Sequence, residues 1–154
     1  MALTACKVYT FKDVTIDYSK IKTIRIGYID NKASYVNPLL SPRVSEKLQQ
    51  KVVQFTKLTR TNDADAHYQI DGFITGYLVT TSGVSNNQAA TNRLTVTAHI
   101  IFKNTVENKT QEFDVSRDFD FPSSQSLTQA EGRLTDEMAN NLSDEIFNKI
   151  FSNW

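Results

Sequence analysis

Cysteine occurs once in the 154 residues, as Cys6, so no internal disulfide can form. No run of about 18 apolar residues is present, so nothing reads as a transmembrane helix. Glycine is scarce, with five residues, and none sits in a phosphate-cradling loop or a nucleophile elbow. The two histidines, His67 and His99, cannot make a zinc-ligand set with a single cysteine. An excess of one charge is also lacking. The 17 basic and 17 acidic side chains cancel, and no basic block stands out, which argues against a nucleic-acid partner. What remains, 40% hydrophobic and 22% charged residues, is the balance of a globular protein with a core.

The lone cysteine follows Leu3-Thr4-Ala5. Small residues before a cysteine suit cleavage by a lipoprotein signal peptidase, and the thiol would then carry lipid. An incidental free thiol in a short tail is the other reading. Only five residues precede Cys6, too few for a charged and then apolar leader. On the lipoprotein reading, the rest of the signal lies upstream of Met1.

The periodicities give six elements. Ile24, Ile26 and Tyr28 alternate in a strand over 22–29. Ser41-Pro42 reads as a cap followed by proline in the first helical position. Val44, Leu48, Val52 and Phe55 then form a helical stripe. A long strand over 67–80 places Tyr68, Ile70, Ile74 and Leu78 on one side and Phe73, Tyr77 and Val79 on the other. Gly72 and Gly76 in that strand predict a bulge or a close crossing. Residues 81–91 read as an exposed polar loop. Leu94, Val96, Ala98, Ile100 and Phe102 alternate in a fourth segment, and Phe113, Val115, Phe119 and Phe121 in a fifth, across a turn at 104–109. Thr128 with Glu131 fits a capping box. Behind it, Leu134, Met138, Leu142, Ile146 and Ile150 recur every four residues, widened by Phe147, Phe151 and Trp154. Gly132 near the start of that helix costs about 1 kcal/mol relative to alanine. The order is β-α-β-β-β-α. Its fold class is α+β, with two amphipathic helices on one face of a four-stranded, mostly antiparallel sheet. The other face is left to water or a partner.

Chemistry is sparse. His67 and His99 read as exposed and non-catalytic. Asp118 and Asp120 point the same way and could pair for acid–base work or calcium, but they suit the defence of an edge strand better. Arg93, Lys103 and Arg117 are isolated cations. No catalytic set, cofactor or metal is implied.

Several stretches taken in order resemble a family. They are Cys6 with Tyr9 and Phe11, Tyr35-Val36-Asn37-Pro38-Leu39-Leu40, and Ile70-Asp71-Gly72 with Thr75-Gly76-Tyr77. Asn92-Arg93-Leu94-Thr95-Val96 follows, then Phe119 with Ser123-Ser124-Gln125, and Asp144 to Lys149 with Asn153-Trp154. This set is similar to the LptE-type lipopolysaccharide-assembly lipoproteins of the Bacteroidota branch. The resemblance implies a non-enzymatic protein lipidated at Cys6 and held on the periplasmic face of the outer membrane. Residues 1–5 would be a signal remnant, 6–20 a tether and 21–154 a single α+β domain. It implies an LptD-like outer-membrane β-barrel as partner, which the protein plugs and helps to assemble. Tyr35, Asn37, Pro38, Asn92 and Arg93 are the candidate partner contacts. Arg25, Lys103 and Arg117 are the candidate lipopolysaccharide contacts, although no cation cluster appears along the chain. A periplasmic lipoprotein regulating a cell-wall enzyme or other envelope machine fits the same anchor. A small hydrolase or metal enzyme would need a pocket joining a histidine to Asp118 and Asp120.

Overall fold

The computed structural model describes residues 16–86 and 88–152. Cys6, Tyr9, Phe11, Asn153 and Trp154 lie outside the described residues. The chain runs β1 (Thr23–Asn31), α1 (Leu40–Phe55), β2 (Thr59–Arg60), β3 (Tyr68–Ser85), β4 (Gln88–Asn104), β5 (Lys109–Pro122) and α2 (Leu127–Phe151). The sheet order is β2-β1-β3-β4-β5. The fold class is α+β, with both helices on one sheet face. The sheet has five strands rather than four, because the two-residue β2 pairs with the start of β1. β1 runs parallel to β2 and β3, while β3, β4 and β5 are antiparallel. Two exposed residues with no apolar side chain give no periodic signal, so β2 is invisible to pattern reading.

The core lies between helices and sheet. Val44, Leu48 and Val52 of α1 are buried, as are Leu134, Met138, Leu142, Ile146, Phe147, Ile150 and Phe151 of α2. They meet the sheet through Ile24, Ile70, Ile74, Leu94, Val96, Ala98 and Ile100. Phe55 departs from its stripe and is exposed, resting against Phe147 with ring centroids 5.9 Å apart.

Two irregularities reassign faces. In β1 the register shifts between Ile26 and Ile29, so Tyr28 is turned out and Ile29 is buried. In β3 the register shifts between Ile74 and Gly76. One extra residue inverts the alternation beyond it. Tyr77 therefore joins the core beside Val96, and Leu78 faces out opposite Thr95. Gly72 marks a close approach, since a Cβ there would sit 2.6 Å from the His99 carbonyl oxygen.

Both cap readings are corrected. α1 begins at Leu40 with Leu39 as its cap and no side-chain cap bond, and Ser41 is buried inside the helix. In α2 the capping box is Ser126 with Gln129, two residues earlier than Thr128 with Glu131. The span 81–91 is mainly strand: β3 and β4 continue pairing to Ser85 and Gln88, and the hairpin projects past the end of β1.

Candidate functional site

The start of α2, the loop between β1 and α1, and the middle of β3 meet at one end of the domain. There a cleft of about 400 Å³ is lined by Tyr35, Asn37, Pro38, Leu39, Arg43, Thr128, Glu131, Gly132, Thr135 and Asp136. Asn37 holds the loop in place. It is 3% exposed, and its side-chain oxygen accepts the Leu39 amide at 3.0 Å, an Asx-type turn leading into α1. Its amide nitrogen donates to Thr135 Oγ1 at 3.2 Å and to Tyr77 Oη at 3.4 Å. Pro38 removes an amide donor within that turn.

Glu131 organises the floor. Tyr77 donates to its Oε1 at 2.7 Å, and Tyr35 donates to its Oε2 at 3.4 Å. The two tyrosine rings stack, with centroids 5.2 Å apart and 23° between planes. Burial, and then the hydrogen bond to Glu131, push the Tyr77 hydroxyl up from its ordinary value. Burial, followed by the charge of Glu131, raises Tyr35 as well. Both phenols therefore stay protonated donors at neutral pH. At the rim, Arg43 of α1 pairs with Asp136 of α2. Around the cleft, Tyr35, Val36 and Leu39 are 40%, 53% and 55% exposed.

The structure brings Tyr35, Asn37 and Pro38 together in this cleft. It separates the other two candidate contacts. Asn92 lies opposite Phe121 and Thr81, on the helix side of the projecting hairpin. Arg93 turns to the open sheet face, where its Nε and Nη2 bond Asp120 at 2.9 and 3.2 Å. That bond holds the Asp120 carboxyl below its ordinary value.

The open face is a ladder of cross-strand polar pairs. Thr95 bonds Asp118 at 2.7 Å, Thr97 lies 3.1 Å from Ser116, and His99 Nδ1 lies 2.7 Å from Asp114. The hydrogen bond to Asp114 raises the His99 pKa above 6.5. Asp118 and Asp120 thus belong to the edge strand β5 and are tied to β4, with no histidine between them. His67 Nδ1 accepts the amide of Lys22 at 2.9 Å, a structural clamp at the entrance to β3. Among the described residues, no group of three or more His, Cys, Asp or Glu is placed to hold a metal ion.

The three candidate lipopolysaccharide cations do not gather. Arg25 bonds Asp71 at 2.9 Å and Gln69 at 3.1 Å on the open face. Lys103, opposite Gln69, is exposed on that face. Arg117 bonds Glu145 of α2 at 2.6 Å on the helix side. Sequence reading gave Tyr77 a place on a strand and Glu131 one in a cap, but put neither of them, nor Thr135, in a site. The unusual Gly132 was a signal in this part of α2 that a helix cap does not account for.

No described helix is long and apolar enough to cross a membrane. A family model described as LptE, lipopolysaccharide-assembly, matches residues 21–150. No curated protein matches the chain. Among solved structures, rare lipoprotein B from Shewanella oneidensis is similar, with 12% identity and a TM-score of 0.56, over 82% of this chain and 92% of that one. An uncharacterized lipoprotein B from Nitrosomonas europaea gives 15% identity and 0.54, over 85% and 83%. A minor lipoprotein from Acinetobacter baumannii gives 16% and 0.50, over 84% and 91%. At these identities the likeness is one of fold.

Proposed function

The chain belongs to the LptE lipopolysaccharide-assembly family, and from that premise we propose that it is a non-enzymatic lipoprotein that partners and plugs an LptD-like outer-membrane barrel. Cys6 is the proposed lipid attachment. Several acyl chains at about 0.8 kcal/mol per buried methylene would hold the domain at the periplasmic face of the outer membrane.

The observation that carries the reading is the exposed end of the domain. Tyr35, Val36 and Leu39 on the loop, with Leu78 and Val84 on the projecting hairpin, leave large apolar side chains in water. Loop and hairpin offer anchors to a partner; Tyr35, Pro38, Asn92 and Arg93 are the contacts we assign to it, and the buried Asn37 positions the loop that carries the first two. The polar ladder of the open sheet face suits the polar interior of a barrel. Arg25 and Lys103 on that face, and Arg117 on the other, are the contacts assigned to lipopolysaccharide phosphates.

Depletion in the native cell tests this. The amount of folded barrel in the outer membrane, read as the heat-modifiable band on a gel, is expected to fall with the protein. Unchanged folded barrel after depletion would contradict the proposal.

A further inference from the structure

Gly132 has no reason within the fold to be glycine. Its φ is not positive, and a Cβ built on it meets nothing within 4 Å. It therefore adopts ordinary helical backbone with open space above it, at a helix position where alanine is the better residue. The empty volume is the cleft itself. Its lining carries two carboxylates, Glu131 and Asp136, against one guanidinium, Arg43. Arg43 pairs with Asp136, so the excess is the one negative charge of Glu131, which disfavours a phosphate or a carboxylate as occupant.

The aromatic wall points the same way. Tyr35 stacks on Tyr77 and is 40% exposed, so part of its surface is left for a planar cation to meet. The bond from Tyr35 to Glu131 is long, 3.4 Å, whereas that from Tyr77 is 2.7 Å. Glu131 Oε2 can thus exchange a weak neutral donor for a charge-assisted one without disturbing the Tyr77 latch. A planar fork of donors fits this better than the point charge of an ammonium.

We propose that the cleft over Gly132 receives an arginine side chain of the protein partner, stacked on Tyr35 and bonded to Glu131. This rests on the partner-binding reading of the loop, and it adds the chemistry of the residue bound. Gly132 keeps the floor open, Glu131 supplies the charge and Tyr35 the platform.

The test needs no barrel, so its failure is distinct from failure of the partner reading. The full chain is labelled with ¹⁵N and titrated with N-acetyl-arginine amide, N-acetyl-lysine amide, N-acetyl-leucine amide and inorganic phosphate. Arginine amide is expected to give saturable shifts at the Gly132 and Tyr35 amides, with at least threefold tighter binding than lysine amide. Glu131→Gln should weaken that binding at least fivefold, and Gly132→Phe should abolish it while the remaining amides keep their positions. Shifts no larger with arginine than with leucine would overturn the proposal. So would saturation by phosphate in place of arginine.

Discussion

Tyr77 donates to Glu131 at 2.7 Å, and this bond joins the middle of β3 to the first turns of α2 across 54 positions of chain. The sheet bulge just before Gly76 makes the contact possible, because without it Tyr77 would face the open side. The same tyrosine supports the ring of Tyr35 and accepts from Asn37. One hydroxyl therefore fixes the loop, the helix and the sheet relative to one another.

Removing that hydroxyl leaves a carboxylate oxygen without its short donor. Tyr77→Phe is expected to lower stability by about 1–3 kcal/mol. The urea midpoint should fall with an unchanged slope. An unaltered midpoint would show that the latch contributes nothing.

The bulge makes a second prediction, read at Leu78 of β3 against a buried leucine of α2. Leu142 is fully buried, and Leu142→Ala should cost about 2–5 kcal/mol. Leu78 is 62% exposed, and Leu78→Ala should change stability by about 0.5 kcal/mol or less. A large loss at Leu78 would restore the simple alternation in β3 and contradict the bulge.

The start of α2 is held by Ser126, whose side chain accepts from the Gln129 amide at 3.2 Å. Ser126→Ala should cost about 1 kcal/mol in thermal or urea unfolding. Thr128→Ala, which removes the residue singled out by sequence pattern, should leave the cap intact. Equal losses at the two sites would mean that the cap is misassigned.

His99 gives a pH dependence of defined sign. Its folded pKa lies above the ordinary 6.5 because of the hydrogen bond to Asp114. The stability it contributes is therefore complete below pH 6.5 and is lost as pH rises through the higher folded value. Urea midpoints from pH 6 upward, measured for the wild type and for His99→Gln, should converge on the alkaline side. A gap that widens with pH would contradict the assignment.

Much of this architecture was legible along the chain, and the reasons are local. β4 alternates without interruption from Leu94 to Phe102, and its pairing with β5 has no register shift, so pattern and structure agree. The four-residue recurrence of Leu134, Met138, Leu142, Ile146 and Ile150 is all buried, as a helix on a sheet requires. The bulges in β1 and β3 were not legible in their consequences, since the glycines mark a departure without saying which way the chain resumes. The hairpin tip over 81–91 reads as loop along the chain because its pairing is carried by backbone, with little apolar surface to bury. At the cleft, Tyr35, Asn37 and Pro38 lie in one short stretch and could be seen together. Their partners Tyr77, Glu131 and Thr135 come from two other elements, and only the fold brings them near.

The central claim is partnership with an outer-membrane barrel, and co-purification tests it most directly. The protein, with its upstream coding region and a C-terminal tag, is expressed in a Bacteroidota host, and the outer membrane is solubilised in mild detergent. The account predicts a large outer-membrane barrel in near-equal amount, reduced by substitutions at Tyr35 and Pro38. Recovery of the tagged protein from membranes without a barrel, or with a cell-wall enzyme in its place, would contradict it.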